Sequence, residues 1–406
     1  MKQARKLLSV EDALEQMLEG INPLPSTSIP LVQARGRVLC ENARARRSHP
    51  AFDVSAMDGY AVRSGDVAQA GASLSLVGSI AAGDEQTGAA IQAGETMRIF
   101  TGARLPRGAD AILIQENARQ DGNRVTFSQA AQTGRYVRRK GGDFAEGDNL
   151  LNAGHRLRER DLALLAAMGY VHVGVHRKPR VAVLALGNEL APVGENNENK
   201  LPSSNSIGMV AFLEKLDCDA LDIGIAPDNV DTIRKAIDKT EDCDFLVTMG
   251  GASVGEHDLT RSALEASGFD IRFHGVAVRP GKPLLFAMRE GTRALGLPGN
   301  PVSTMVCAEI FLRPALAKMQ GASVDGLSRI RARLTRSLPA NDERQEYMRA
   351  QLAWDVGEQA YFITPFESQD SARLAMLARA DAFAVRPPFD KALDKGESVD
   401  ALLLDS

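Results

Sequence analysis

The stretch Arg293-Ala294-Leu295-Gly296-Leu297-Pro298-Gly299-Asn300-Pro301-Val302-Ser303-Thr304 decides the fold. A short apolar strand runs into a glycine turn and then into a helix. Asn300 stands where an N-cap belongs, and Pro301 takes the first helical position, where its missing N–H costs nothing. Val302, Met305, Val306, Ile310 and Leu316 predict a long apolar helix. Ser303 falls in the first turn, where backbone N–H groups lack intrahelical partners and the helix dipole points outward, so the turn suits an oxyanion. Just upstream, Arg279-Pro280-Gly281-Lys282-Pro283 adds two cations on a loop stiffened by prolines. A cationic loop beside a helix start reads as a dianion pocket. Each such cation about 4 Å away is worth roughly 4 kcal/mol per unit charge at an effective dielectric near 20.

The same strand–turn–helix grammar extends upstream to Arg180. Val181–Leu186 reads as a buried strand ending at Gly187-Asn188-Glu189, and Ile207–Leu216 as a helix. Leu221–Ala226 is a strand, Val230, Ile233 and Ile237 mark a helix, and Phe245–Met249 is a strand ending at Gly250-Gly251. Strands alternating with helices imply a parallel sheet, and such sheets bind ligands at the carboxyl ends of their strands. Loops 187–189, 250–258 and 298–303 all lie at such ends. Ahead of this region, Ser9 to Asp12 reads as a variant capping box opening a helix to about residue 19. Residues 72–130 read as a small β-rich module, and Glu159–Met168 as a helix closed by Gly169. The tail from about 328 reads as strands again (Ile330–Leu334, Tyr361–Ile363, Ala382–Val385).

With 406 residues, the chain is expected to hold about two to four domains. It is 44% hydrophobic and 25% charged, an ordinary globular balance. Lys and Arg total 48 against 52 Asp and Glu, a net charge of −4, which argues against a surface that coats a polyanion. Aromatic content is 5%, with no aromatic-rich basic strand to stack bases, so no nucleic acid partner is expected. Cys40, Cys218, Cys243 and Cys307 form no C-x-x-C pair, so neither a zinc ribbon nor a thioredoxin-type site is indicated, and four scattered thiols fit a reducing compartment. There is no apolar signal region and no run that spans a bilayer, so the expectation is a cytoplasmic protein without a membrane partner.

Several segments carry candidate chemistry. In Gly250-Gly251-Ala252-Ser253-Val254-Gly255-Glu256-His257-Asp258, the glycines let the backbone approach a phosphate. Glu256 and Asp258 suit a hard cation such as Mg²⁺, or Asp258 is simply the N-cap of the next helix. Phe52 to Ala61 is too polar for a core strand; Asp53, Ser55 and Asp58 either face a ligand or satisfy an Asx-turn. The loop from Gly134 to Asp148, basic and then acidic, either contacts anionic groups or is a solvated charged loop. The six histidines do not cluster at metal spacing. Valines between His172 and His176 argue for a strand, and all six read as structural.

The ordered set of these segments resembles the molybdopterin molybdenumtransferases, the MoeA proteins and the gephyrin E domain. The resemblance is carried by Asp53-x-Ser55-Ala56-Met57-Asp58-Gly59-Tyr60-Ala61, by Thr101-Gly102-Ala103 with Pro106-x-Gly108-Ala109-Asp110-Ala111, and by Arg138–Asp143. It continues through Gly250–Gly255, Pro280–Pro283 and Gly296–Ser303. It implies an α/β and β multidomain fold: an elongated N-terminal domain (1–45 plus 141–178), a β-rich inserted module (46–140), a parallel α/β domain of molybdopterin-binding type (179–327) and a C-terminal β domain (328–406). It implies a homodimer whose cleft joins the α/β domain of one subunit to the front module of the other, with a molybdopterin adenylyltransferase as functional partner. The implied reaction inserts molybdate into adenylylated molybdopterin with Mg²⁺ present and releases AMP.

On that resemblance, Asp58, Glu189, Glu256 and Asp258 are the catalytic candidates, and Glu189, Glu256 and Asp258 would hold Mg²⁺. Thr101, Arg138, Asp143, Gly250, Gly251, Ser253, Arg279, Lys282, Pro298, Asn300, Pro301 and Ser303 would hold the substrates. The chain departs from the family's pattern at Asn188, where Asp is usual, and at Glu256, where Asp is usual. Ser368–Arg373 replaces a Ser-Gly-rich loop. Asn188 retains an amide oxygen for the metal. Competing readings are a molybdopterin adenylyltransferase, which would consume ATP, and a non-catalytic cofactor-binding scaffold.

Overall fold

The structure is a computed structural model that describes residues 7–84, 90–195, 198–251, 258–324 and 326–404. Its centre is a six-stranded sheet in the order Asp219–Ala226, Arg180–Leu186, Phe245–Met249, Thr292–Leu297, Leu285–Arg289, Asp270–His274. The first four strands run parallel and the last two are added antiparallel. Successive side chains of a strand face opposite sides, so this sheet feeds two cores. Val181, Val183, Phe245 and Val247 pack with Met209, Phe212 and Phe311 on one face. Ala182, Leu184 and Leu246 pack with Ile233, Ile237 and Leu264 on the other. This is the buried, doubly covered sheet that the apolar runs predict.

The helix after Asn300 is less regular than its apolar pattern suggests. Pro301–Cys307 and Arg313–Met319 are α-helical, and Ala308–Leu312 between them is a π-helical turn. Pro314 lacks an N–H and its ring crowds the carbonyl four residues back; the wider turn just upstream accommodates it. At the N-terminus, Val10–Leu18 is the expected helix, and Ser9 accepts the Asp12 N–H. Strand His172–His176 pairs antiparallel with Ser26–Pro30, so the two histidines do belong to a strand.

The reading of 52–61 as too polar for a core strand is corrected. Gly59–Val62 is fully buried and lies between Ala111–Ile114 and Glu95–Ile99 in a second six-stranded sheet. Tyr60 tolerates that burial because its hydroxyl reaches Gln120 Oε1 at 3.1 Å while its ring packs edge-on against Phe127.

The C-terminal strands close on themselves. Gln345–Asp355 pairs with Ala360–Pro365, then Arg329–Leu334, Ser398–Leu403 and Ala382–Arg386 follow, and the last returns to Gln345–Asp355. Closure leaves this five-stranded barrel without open edges. A short strand, Val278–Arg279, pairs with Gln345 and Glu346 and ties the barrel to the α/β domain. The front domain is tied by polar contacts: Arg177 grips Asp244 at 2.6 and 2.7 Å, and Arg37 meets Asp217 at 3.0 Å. Among the described residues, no helix is long and apolar enough to cross a membrane.

Candidate active site

A cavity of 620 Å³ opens at the carboxyl ends of three parallel strands. Leu186, Met249 and Pro298 mark those ends, Glu189 and Asn205 stand on one side, and Asn300 and Pro301 begin the following helix. Pro283 and, from the C-terminal barrel, Ala372 and Leu374 complete the rim. Gly250 makes this floor possible. Its φ is +96°, and a Cβ there would collide with the Leu186 carbonyl oxygen. The 298–300 turn is pinned from two directions. Asn205 Nδ2 donates to the Gly299 carbonyl at 2.8 Å, and Thr304 Oγ1 donates to the Pro298 carbonyl at 2.6 Å.

Of the residues expected from the sequence, Glu189, Pro298, Asn300 and Pro301 line this cavity. Lys282 is exposed beside Pro283, and among the described residues its ammonium has no ion pair. Gly250 and Gly251 lie at the strand end. Ser253 and Glu256 lie outside the described residues.

Four expectations change. Arg279 is not a free cation: Nε lies 2.9 Å from Glu346 Oε1, Nη1 3.0 Å from Asp342, and Nη2 2.8 Å from the Asn341 side-chain oxygen. The short pairing with the barrel points it at that domain's carboxylates. The helix start is not an open oxyanion site either. The Val302 N–H donates to the Ser371 carbonyl at 3.1 Å, and Ser303 is 4% exposed. Asp258 is the N-cap of Leu259–Ala266, accepting the Arg261 N–H at 2.8 Å, while its second oxygen lies 3.2 Å from His274 Nε2. It is buried and committed, as the capping alternative anticipated, so it does not fit a metal ligand. Asn188 faces away: its side-chain oxygen accepts the Asp228 N–H at 3.1 Å, and it lines a separate 430 Å³ cavity. Among the described residues, no three metal-ligating side chains cluster. Of the expected Mg²⁺ ligands, then, only Glu189 is seen presented to the cavity.

In the front module, the structure brings Asp58 and Thr101 into contact. Asp58 Oδ1 accepts both the Thr101 N–H, at 2.7 Å, and its hydroxyl, at 2.8 Å. Those two donors, the backbone one foremost, hold the half-buried Asp58 carboxyl below its usual range. Asp53 instead clamps the 134–148 loop through Arg139 at 2.7 Å and the Lys140 N–H at 2.8 Å. Arg138 and Asp143 are exposed on that loop. Ser55 is buried and donates to the Met57 carbonyl.

Sequence reasoning singled out the 368–373 loop but missed what anchors it and what it touches. Arg349, fully buried, donates to Gln369 Oε1 and to the Asp370 carbonyl, and so fixes the loop whose Ser371 caps the cavity helix. Nothing in local sequence signals an interaction between residues 349, 371 and 302. Ser203, Ser204 and Asn205, which line the cavity, were missed as well, although polar residues ahead of a helix are a readable signal.

Three family models match the chain. The MoeA N-terminal region (domains I and II) matches residues 8–169, the probable molybdopterin binding domain matches 182–318, and the MoeA C-terminal region (domain IV) matches 331–404. A molybdopterin molybdenumtransferase of Haemophilus influenzae is 37% identical over 324 residues, 78% of each chain. One of Synechococcus elongatus is 32% identical over 406 residues, covering 97% of this chain and 99% of its own. The solved structure of the molybdopterin biosynthesis moeA protein of Pyrococcus horikoshii superposes with a TM-score of 0.84 at 28% identity, covering 98% of this chain and all of the other.

Proposed function

We propose, since this chain belongs to the molybdopterin molybdenumtransferase family and transfers molybdenum in molybdenum cofactor biosynthesis, that its substrate is adenylylated molybdopterin and that AMP leaves as molybdate is inserted. The observation that carries this reading is the 620 Å³ cavity at the strand ends. It offers a carboxylate at Glu189, amide groups at Asn205 and Asn300, and the exposed Lys282 at its edge. Lys282 supplies counter-charge to the oxyanion, and the amides orient polar groups of the substrate. Mg²⁺ would find Glu189 here, but Asp258 does not fit it, so no step is assigned through the metal. The enzyme that adenylylates molybdopterin is the functional partner, because its product is this substrate.

We further read the protein as a homodimer. Among the described residues, none from 46–140 lines the cavity, so a second copy would be needed to bring the Asp58–Thr101 pair to it. Mixing an Asp58→Ala chain with a Lys282→Ala chain should restore partial activity. No recovery under confirmed subunit exchange overturns the shared site.

The reaction is tested with purified protein, adenylylated molybdopterin and molybdate, reading AMP by chromatography. AMP release dependent on molybdate is the expected result. ATP consumption without it would identify an adenylyltransferase, and tight binding without turnover a scaffold; either overturns the reading.

A further inference from the structure

We infer that the second cationic contact of this cavity is Arg373, on the C-terminal barrel, and that it binds a tetrahedral oxyanion carried into the cavity. The inference rests on the substrate reading above. A phosphate-bearing substrate together with molybdate brings several negative charges to a cavity whose own described lining includes the carboxylate of Glu189. One cation is at hand in Lys282. The other cation expected from the sequence, Arg279, is held by Asp342, Glu346 and Asn341, and an anion brought to it would meet two carboxylates.

Arg373 has the opposite surroundings. Its neighbours Ala372 and Leu374 both line the cavity. The residue is exposed, and among the described residues its guanidinium makes no hydrogen bond or ion pair. The Asp370 carboxylate accepts the Ala372 N–H at 3.0 Å and, among the described residues, makes no ion pair with Arg373. The backbone that carries Arg373 is anchored on both sides. Buried Arg349 holds Gln369 and the Asp370 carbonyl from within the barrel. From the α/β domain, Asn300 Nδ2 donates to Ser371 Oγ at 2.9 Å, and the Val302 N–H donates to the Ser371 carbonyl. Arg373 does not itself line the cavity; it is a long, exposed cationic side chain on a fixed base between two residues that do. A guanidinium offers a planar fork of N–H donors that matches an oxyanion. The oxyanion is either the phosphate of the adenylyl group or molybdate, and the test separates the two.

The full-length protein is titrated by calorimetry with AMP and, separately, with sodium molybdate. Arg373→Ala should weaken one of the two about tenfold, and the affected probe identifies the anion. Arg373→Lys should recover most of the loss, and Arg373→Glu should exceed it. The wild-type advantage should shrink as salt is raised. Arg329→Ala, a surface arginine paired with Asp400 away from the cavity, should leave both affinities unchanged. Far-UV circular dichroism confirms that each variant is folded. If Arg373→Ala changes neither affinity by more than about twofold, or if the wild type binds neither probe, the inference is overturned. Unchanged binding in a protein that still releases AMP from adenylylated molybdopterin removes this inference alone. Failure to release AMP removes the substrate reading.

Discussion

Gly281 is the position where a single methyl group should do the most damage to the loop that presents Lys282. Its φ is +125°, a region that L-residues rarely enter. A Cβ there would collide with Cys307 Sγ, which is completely buried, and would stand 3.3 Å from Val278 Cγ1. For Gly281→Ala, backbone strain should cost about 1–3 kcal/mol. Overpacking against Cys307 should add about 1–3 kcal/mol. Loss of unfolded-state freedom returns only about 0.4–1 kcal/mol. The net is destabilisation of about 3 kcal/mol, with about 1 as a floor. Cys307→Ala alone should cost about 1 kcal/mol, on the scale of one deleted buried methyl-sized group. In the double variant the collision is gone and only the backbone term persists, so the cycle should show coupling of about 2 kcal/mol. Native-state hydrogen exchange reads this locally. The Val276 N–H bonds to the Lys282 carbonyl at 3.0 Å and the Leu284 N–H to the Gly281 carbonyl at 3.1 Å, so both amides report opening of this loop. A cost below about 1 kcal/mol, or coupling below about 0.5, would refute the steric reasoning.

Thr101→Val removes the hydroxyl donor to Asp58 but keeps the backbone donor, so the Asp58 pKa, followed by NMR, should rise only part of the way toward the usual carboxylate range. Because the folded pKa is depressed, the contact's stabilisation is complete above the ordinary value near about 4 and is lost as pH falls through the folded value; a rise in stability on acidification would contradict this. Burial pushes the Cys218 and Cys307 thiols up to about 12, whereas Cys40 is half-buried and less constrained. At pH 8, a thiol reagent should therefore label Cys40 first and reach Cys218 and Cys307 only on unfolding, as peptide mapping would show. Arg349→Met leaves the Asp370 carbonyl without its donor and Gln369 Oε1 with only the residue-349 N–H at 3.0 Å; it should cost about 2 kcal/mol in urea unfolding and loosen the Ser371 cap, whereas a loss below about 0.5 kcal/mol would mean the loop holds itself.

The parallel sheet was legible because burial on both faces demands long apolar runs, and Val181–Leu186 and Phe245–Met249 carry them. The strand-end turns were legible because glycine and proline act on their own backbone: Pro301 starts its helix wherever the rest of the chain goes, whereas Asn300, at the N-cap position, makes no side-chain cap and donates instead to Ser371 Oγ at 2.9 Å. Asp258 shows the limit of that reading. Its type and spacing suit either a cap or a ligand, and only the packed position of His274 and the Arg261 N–H commits it to the cap. Charge behaves the same way at larger range. Arg279 and Lys282 are equivalent in sequence, yet the pairing of Val278–Arg279 with the barrel strand turns one toward Asp342 and Glu346 and leaves the other exposed. The cap on the cavity helix comes from Ser371, and a fully buried Arg349 holds it there. Local chain chemistry therefore determined which elements form and where they turn. Which charges face the cavity was decided only by folding, because a side chain's partners are set by contacts between segments tens to hundreds of residues apart.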